Sequence, residues 1–255
     1  MRKKINEGKT KRIYQIGEKT VEIISKPDIT AGDGEKKDVI EDKDIFANNT
    51  TCNVFELLNK KGIKSHFIQR GSNNSFKAQL CVMIPVEVVM RRVATGSYLK
   101  RVPDILDGTI FDEVKVEFFH KDDELHDPII IRGRNYWHRH SAKEPISDES
   151  FIDDLDPLCT NQEAIHIESE ARKVFEILEE AFEELGIILW DMKIEFGRTL
   201  DGKIVLADVI DNDSWRIRDK DGNQLDKQVY RDGGDLGDIQ SKYELVSKLT
   251  NKFSK

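Results

Sequence analysis

The chain has 255 residues, enough to bury a substantial hydrophobic core as one large domain or as two small ones. Charged residues make up 35% of it and hydrophobic residues 38%, which is typical of a soluble globular protein, and no apolar run is long enough to span a bilayer. The formal net charge of −8 argues against a nucleic-acid partner, because phosphate contacts dominate such binding. Basic residues cluster locally, at residues 9–12 and 91–101, and this favours small anionic ligands.

The cysteines and the N-terminus indicate a cytoplasmic protein. Cys52, Cys81 and Cys159 are widely spaced, odd in number and lack a CxxC motif, so we expect a reducing compartment and neither a disulfide framework nor a zinc site. The first eight residues carry positive charge but no apolar segment follows them, which argues against a secretory signal. The sequence is compatible with a homo-oligomer and does not fix the oligomeric state.

The first third of the chain is predicted to be rich in strands. Two short strands joined by Gly17-Glu18 form a hairpin, and a helix over residues 48–61 is capped by Asn or Thr and ended by Gly62. These hairpin strands are predicted at residues 12–16 and 20–25, and further strands at residues 65–69, 79–84 and 86–91. Because Pro85 cannot donate a ladder hydrogen bond, we expect a break there and a boundary between two lobes at residues 83–86.

The remainder is predicted to hold a loop-rich middle, a long helix, a hairpin and C-terminal helical segments. The middle covers about residues 103–156. The helix covers residues 161–185, where Val174, Leu178 and Leu185 recur at helical spacing and Gly186 is a suitable residue to end it.

The hairpin that follows this helix carries two acids. Alternation over residues 191–197 puts Asp191, Lys193 and Glu195 on one face of a half-buried strand, and Asp201-Gly202 is a strong signal for a two-residue turn. That register pairs Glu195 with Asp208. Facing carboxylates about 5 Å apart repel each other, and a hard divalent cation would turn this cost into a site. The alternatives are a solvated pair on an exposed hairpin and a slipped register.

Two glycine-containing loops could contact an anionic ligand. Gly8 precedes Lys9, Thr10 and Lys11, where the backbone can approach a phosphate and the two lysines share one side of an extended chain. The alternative is an exposed basic turn. The second loop, residues 29–34, presents Asp33 between two glycines, although turns of this composition are usually only structural.

A third segment combines an arginine with small donors. Arg91 shares a strand face with Glu87, and the following residues 94–97, which include Ser97, supply hydroxyl and backbone donors for a phosphate or carboxylate. The alternative is a strand that simply ends in an arginine. Lys193 on the hairpin, and Arg216 beyond it, complete a set of groups that fits Mg²⁺-dependent phosphoryl transfer.

The chain resembles a known family. IPVEVVMRRVATGS at residues 84–97 and LWDMKIEFG at residues 189–197 resemble the two signature segments of the SAICAR synthetase family (phosphoribosylaminoimidazole-succinocarboxamide synthase), bacterial type. GKTKRIY at 8–14, AGDG at 31–34 and HDP at 126–128 recur in the family's order. The resemblance implies an enzyme that uses ATP and Mg²⁺ to join L-aspartate to the carboxylate of CAIR, carboxyaminoimidazole ribotide, through an acyl phosphate in purine biosynthesis.

The resemblance also implies roles for individual residues. At the nucleotide it implies phosphate binding by Lys9, Thr10 and Lys11, adenine packing by Ile13, an adenine hinge at Met83, Ile84 and Val86, ribose binding by Glu87, and a nucleotide contact by Lys121. It implies that Glu195 and Asp208 bind the metal. At the second substrate it implies that Arg91, Ser97 and Arg216 bind the CAIR phosphate or carboxylate, that Lys193 lies at the reaction centre, and that Asp33 and Asp191 lie near aspartate or CAIR.

The implied fold is α+β, with a two-lobed, SAICAR-synthetase and ATP-grasp-like architecture. A β-rich lobe at residues 1–84 would cover the nucleotide, and a larger α+β lobe at residues 85–255 would carry the metal and substrate sites. Two segments depart from the family pattern: residues 212–216 read NDSWR where Pro-Asp and Ser-Arg are usual, and a lid at residues 131–144 matches little. Two other functions stay open, a small-molecule kinase and a non-catalytic nucleotide sensor.

Overall fold

The computed structural model describes residues 2–31 and 36–253, and the protein has an α+β fold built on two large antiparallel sheets. The elements of the first third are, in chain order, β1 (Lys3–Glu7), β2 (Lys11–Gln15), β3 (Thr20–Ser25), β4 (Asp28–Ala31), β5 (Lys36–Val39), α1 (Lys43–Lys60), β6 (Phe67–Arg70) and β7 (Ser75–Gln79). Five of these strands form one sheet in the order β1-β2-β3-β7-β6, and β4 and β5 pair separately.

The larger sheet belongs to the rest of the chain. Its elements are β8 (Cys81–Val93), α2 (Ser97–Arg101), β9 (Ile110–His120), β10 (Ile129–Arg132), β11 (Trp137–His140), β12 (Phe151–Leu155), α3 (Asn161–Glu183), β13 (Ile187–Thr199), β14 (Ile204–Ala207), β15 (Trp215–Asp219), α4 (Gln228–Arg231) and α5 (Leu236–Thr250). The strands run in the order β12-β11-β10-β9-β8-β13-β14, and β15 also pairs with β13. Strand β13 therefore pairs with three strands, β8, β14 and β15.

Helices α1 and α3 cover the buried faces of the sheets. α3 begins with a capping box in which Thr160 accepts from the Glu163 backbone and Glu163 accepts from the Thr160 backbone, and Gly186 beyond its end has a positive φ of 72°. Its apolar stripe packs against β13, and α1 packs against α5. The predicted long helix is confirmed. No helix within residues 2–31 and 36–253 is both long and apolar enough to cross a membrane.

The start of α1 differs from the prediction. The helix begins at Lys43, five residues earlier than expected, after Asp42, which has φ +58° and makes no side-chain capping bond. The amphipathic pattern hides this first turn because Lys43 is almost fully buried and its Nζ reaches Asp213 at 3.4 Å. A buried lysine looks like a surface residue in a sequence.

The expected break at Pro85 is wrong, because β8 runs without interruption through it. Pro85 lies where the register between β8 and β13 shifts, since Glu195 pairs with Glu87 but Gly197 pairs with Met83. At such a bulge a proline removes no ladder bond. Its carbonyl still accepts from the Lys121 backbone at 3.0 Å.

The predicted register of the carboxylate hairpin is wrong by one residue. Glu195 lies opposite Ala207, and Arg198 lies opposite Ile204. The loop has three residues because Thr199 pairs with Lys203 and Gly202 takes a positive φ of 80°, the position that a glycine favours in three-residue hairpins. Asp208 follows the end of β14 with φ +66°. The strand is also covered on both faces, with Glu195 only 3% exposed.

The middle of the chain is not loop-rich. Residues 103–156 contribute β9, β10, β11 and β12, which extend the larger sheet to its edge. Strands β10, β11 and β12 have only four or five residues each, which is too short for alternation to give a clear signal. The segment expected to form a lid, residues 131–144, lies in the β10–β11 hairpin and the turn after it, with Trp137 fully buried against Phe118.

Phe182→Ala tests the packing that supports β15. Phe182 is fully buried and meets Trp215 and Phe253 edge-on, with ring centroids 5.1 Å and 5.3 Å away. We expect the substitution to lower the free energy of unfolding by about 3–5 kcal/mol, measured by urea denaturation. Ile165→Ala on the same helix, where the side chain is 64% exposed, should change it by less than about 0.5 kcal/mol. Equal losses for both variants would contradict this account.

Candidate active site

A cavity of about 560 Å³ opens on the face of the larger sheet, between β13 and the turn that joins β1 and β2. It brings together most of the residues that the sequence predicted. Those that line it are Lys9, Thr10, Lys11, Glu87, Arg91, Ser97, Lys121, Asp191, Lys193, Glu195, Asp208 and Arg216. Residues far apart in the sequence therefore share one polar surface.

The register between β8 and β13 sets the order of these groups. Glu87 lies opposite Glu195, and Arg91 lies opposite Asp191. Because side chains alternate along a strand, all four share the cavity face together with Lys193. The site therefore has an acidic and lysine-rich end at Glu195 and an arginine-rich end at Asp191.

Lysines neutralise the carboxylates at the first end. Lys193 donates to Glu87 and, at 3.3 Å, to Glu195, while Lys121 donates to both oxygens of Glu195 at 2.7 Å. Burial raises the pKa of Glu195, but Lys193 and Lys121 outweigh it and lower that pKa to about 2. Burial lowers the pKa of Lys193, yet Glu87 and Glu195 raise it above the ordinary value. Both groups are charged at neutral pH.

Lys11 reaches the same end from the opposite sheet. Its ammonium forms an ion pair with Asp208, and burial lowers its pKa to about 8. A single cluster of three lysines thus contacts Glu195 and Asp208. Such a cluster is suited to neutralise the charge of phosphate groups that enter beside it.

The residues at this end fit a Mg²⁺ ion that is shared with a phosphate ligand. Glu195 and Asp208 supply carboxylate oxygens, and within residues 2–31 and 36–253 no group of three or more His, Cys, Asp or Glu side chains could enclose a metal. Mg²⁺ is commonly held by one or two carboxylates plus substrate phosphates and water. The pair therefore fits a cation that arrives with a nucleotide.

The backbone of Asp208 is held by a buried histidine. The Nε2 of His66 lies 3.0 Å from the Asp208 carbonyl oxygen, and its ring packs against Phe55 and Phe76. Burial, and then the charge of Lys11, lower the pKa of His66 to about 3. The neutral imidazole donates to the carbonyl and stabilises the left-handed backbone at Asp208 that aims the carboxylate.

At the second end, one carboxylate holds two arginines. Asp191 Oδ2 accepts from Arg91 Nη1 at 2.5 Å and from Arg216 Nη1 at 2.6 Å. Arg91 is 3% exposed, whereas the Arg216 side chain is 20% exposed. Gly96 has φ +60°, and a Cβ there would lie 2.7 Å from Arg216 Nη2. A glycine is needed for this close approach.

Sequence reasoning missed several residues that line the cavity. They are Thr30, Asp123, Lys227 and Arg231, whereas Asp127 and Asp213 were named only within the segments 126–128 and 212–216. Lys227 and Arg231 lie in and beside the short helix α4. They carry no local motif, and a basic residue on each side of a hydrophobic turn resembles ordinary surface. Only the fold brings α4 to the arginine-rich end.

A buried charge network lies behind α4. Asp213 accepts from Tyr243 and from Lys43, and it lies 3.7 Å from Lys227. Burial, and then the charge of Asp213, raise the pKa of the neighbouring Asp211 carboxyl above its ordinary value. The network fixes the loop between Asp208 and Arg216 against α1 and α5.

Four predicted nucleotide contacts lie outside the cavity lining. Ile84 and Val86 are only 1% and 2% exposed, so their side chains belong to the core. Met83 is 40% exposed, and Ile13 is partly buried against the core. Contact between a base and this part of β8 would therefore use the strand backbone and Met83. Asp33 lies outside the described residues.

His66→Gln tests the histidine contact through pH. Because the folded-state pKa of His66 is below its unfolded value of about 6.5, the native state binds fewer protons and stability falls as pH drops from about 6.5 towards 3, by about 1.4 kcal/mol per unit from this group. The variant keeps a donor and removes the titration. We expect the free energy of unfolding, measured by urea denaturation, to fall less steeply with decreasing pH in the variant. Above pH 7 the difference in this free energy between the variant and the unsubstituted protein should be constant. Parallel curves at all pH values would contradict the buried neutral imidazole.

The sequence and the fold both match known proteins. A family model described as SAICAR synthetase matches residues 4–249. The phosphoribosylaminoimidazole-succinocarboxamide synthase of Herpetosiphon aurantiacus is 41% identical over 260 residues, covering 98% of each chain.

Two solved structures share the fold over nearly the full length. The crystal structure of phosphoribosylaminoimidazole-succinocarboxamide synthase from Ehrlichia chaffeensis is 32% identical, with a TM-score of 0.82 and 98% of each chain covered. A SAICAR synthetase (Type-2) in complex with ADP is 34% identical, with a TM-score of 0.82 and 97% of each chain covered. Together with the family match and the arrangement of the cavity, these likenesses establish that the chain belongs to the SAICAR synthetase family.

Proposed function

We propose that this protein is an ATP-dependent C–N ligase that forms SAICAR, ADP and phosphate from CAIR, L-aspartate and ATP in purine biosynthesis. The observation that carries the proposal is the shared cavity, which has a carboxylate and lysine cluster at one end and an arginine cluster at the other. A relative whose structure contains ADP supports a nucleotide as the ligand of the first end. We propose that the protein acts in the cytoplasm.

The lysine-rich end is suited to the nucleotide. Lys9 and Lys11 flank the Gly8 turn, where the Gly8 backbone amide donates to the Lys11 carbonyl at 2.9 Å and leaves the lysine side chains at the cavity. We assign the phosphates to these lysines, Thr10 and Lys121. Glu195 and Asp208 would hold Mg²⁺, which, when bound, neutralises charge on the phosphate oxygens. Glu87 would bind the ribose, and the backbone near Met83, Ile84 and Val86, with Ile13, would contact the adenine.

The arginine-rich end is suited to CAIR. Arg216 and Ser97 line it, and Arg231 has no carboxylate within 4 Å among the described residues, so its guanidinium is available for an anionic group. We assign the phosphate of CAIR to Arg216, Arg231 and Ser97, with Arg91 behind them. Arginine suits this role because its planar fork donates two parallel bonds to a phosphate. Asp191 holds the two arginines, and Asp33 would lie near aspartate or CAIR.

The two ends would meet at Lys193. A carboxylate oxygen of CAIR attacks the γ-phosphorus and the bond to ADP breaks, which gives an acyl phosphate. The neutral amine of aspartate then attacks the acyl carbon, phosphate leaves, and the amine loses a proton as the amide forms. The charged Lys193 can stabilise the negative charge that develops on the acyl oxygen when the amine attacks, and exclusion of water would protect the mixed anhydride.

We also propose a two-lobed, ATP-grasp-like organisation with the nucleotide in the cleft, residues 1–84 forming one lobe and residues 85–255 the other. In support, the Gly8 turn of the smaller sheet faces β13 of the larger sheet across the cavity. The proposed boundary lies inside β8, and one continuous hydrophobic core includes residues from both sides of it.

Asp208→Asn tests the metal assignment. The amide keeps the size of the side chain but removes the charge that would bind a cation, so we expect ligation to fall by about 100-fold or more, measured by ADP release. The variant should remain folded, because the Asp208 carbonyl keeps its contact with His66. Asp201→Asn at the exposed tip of the same hairpin is the matched control and should retain normal turnover. Near-normal turnover of Asp208→Asn with Mg²⁺ would contradict the assignment of Asp208 as a metal ligand.

A coupled assay of ADP release tests the ligase against a small-molecule kinase. With ATP and Mg²⁺ present, we expect steady release only when CAIR and L-aspartate are both added, because the acyl phosphate is consumed by an amine. A kinase that phosphorylates a hydroxyl group would release ADP steadily without an amine. The ligase proposal fails if aspartate has no effect on the steady rate.

A further inference from the structure

Every nitrogen of the Arg91 guanidinium has a partner within the protein. Nε donates to Glu117 Oε2 at 2.8 Å, Nη1 donates to Asp191 at 2.5 Å, and Nη2 lies 3.3 Å from Ser97 Oγ. The side chain is only 3% exposed. Arg91 is therefore held in place by Glu117, Asp191 and Ser97.

Glu117 is itself fixed by a second buried arginine. Arg101 Nη2 donates to Glu117 Oε1, and its Nη1 donates to the backbone carbonyls of Ser97 and Ala142, each at 3.1 Å. The Arg101 side chain is 1% exposed, and its guanidinium lies 5.1 Å from the Phe119 ring centroid. Arg101 thus joins the strand that carries Glu117 to the turn of α2 that carries Ser97.

These contacts form a row of alternating charges that runs from Arg101 through Glu117, Arg91 and Asp191 to Arg216. Only Arg216, at the cavity end, has substantial exposure, with 20% of its side chain accessible. Three cations and two carboxylates leave the row with one net positive charge. Its exposed member, Arg216, lies where an anionic substrate group would bind. Each buried charge has opposite charges as neighbours, as a low-dielectric interior requires.

We propose that Glu117 and Arg101 are positioning residues for the anion subsite, which they build through Arg91 and Ser97 without touching the ligand. Glu117 fixes the orientation of the Arg91 guanidinium plane, and Arg101 fixes the position of the Ser97 backbone. The inference rests on the proposed function for the nature of the ligand. It assigns to β9 and α2 a part in the selection of CAIR.

A second arginine–glutamate pair on the same strand allows positioning to be distinguished from general stabilisation. Arg92, the next residue of the same strand, forms an equally well-aligned pair with Glu179 of α3, at 2.7 Å and 2.8 Å, and that pair does not line the cavity. If Glu117 merely stabilised the fold, loss of either pair would have the same consequence for the enzyme. If Glu117 positions Arg91, loss of the Glu117 charge should weaken the binding of CAIR, and loss of the Glu179 charge should not.

Glu117→Gln tests the proposal, with Glu179→Gln as the matched control. For Glu117→Gln we expect the KM and the Kd for CAIR, the latter from isothermal titration, to rise about tenfold or more, while the KM for ATP stays within about twofold. For Glu179→Gln all three constants should stay within about twofold of those of the unsubstituted protein. An unchanged Kd for CAIR in Glu117→Gln would overturn the inference.

The double variant Arg101→Gln/Glu117→Gln covers the case in which Glu117→Gln does not fold. It removes one charge of each sign, so no additional buried charge is left unpaired. We expect it to fold and still to bind CAIR about tenfold more weakly or worse. Normal CAIR affinity in the folded double variant would overturn the inference. If the unsubstituted protein binds CAIR but does not release ADP with aspartate, the proposed function fails and the Kd ratio still decides the inference.

Discussion

The site depends on three charged residues that alternate with apolar ones along a buried strand. Asp191, Lys193 and Glu195 face the cavity from β13, while Met192 and Ile194 fill the core on the other side. Removal of these charges from water is costly, so each needs a partner. Asp191 and Lys193 find theirs on β8, and Glu195 finds one in Lys121 beyond β9. Neighbouring strands, the Gly8 turn and the loop after Asp208 are positioned by this need for partners. The same partners are the groups that can bind an anionic ligand.

The sequence was informative where chemistry is local. Alternation placed Asp191, Lys193 and Glu195 on one face, and the segment from Arg91 to Ser97 contributes both of these side chains to the same cavity. The long helix was also predicted within two residues at its end, because its capping box and apolar stripe are local patterns. These features depend on a few neighbouring residues.

The sequence failed where structure depends on distant partners. The hairpin register turned on whether the loop had two or three residues, and a change of one residue moved Glu195 from Asp208 to Ala207. Pro85 is tolerated inside β8 because it lies in a bulge of β8, where residues 84–86 lie opposite the single residue Phe196 of β13. Lys227 and Arg231 reach the cavity through α4, and Glu117 reaches Arg91 from β9, and nothing in their surrounding sequence indicates either contact.

Strand β13 also sets the distance between the two ends of the cavity. Asp191 and Glu195 are four residues apart on β13, which at about 3.3 Å per residue separates the arginine-rich end of the cavity from the carboxylate and lysine end by about 13 Å. This spacing belongs to the backbone and does not change when side chains rotate. A ligand that bridges both ends must therefore match a fixed length. One inserted residue between Asp191 and Glu195 would lengthen this spacing by about 3.3 Å and would also turn one of the two side chains away from the cavity. The spacing therefore cannot change by a single residue without loss of one end of the site.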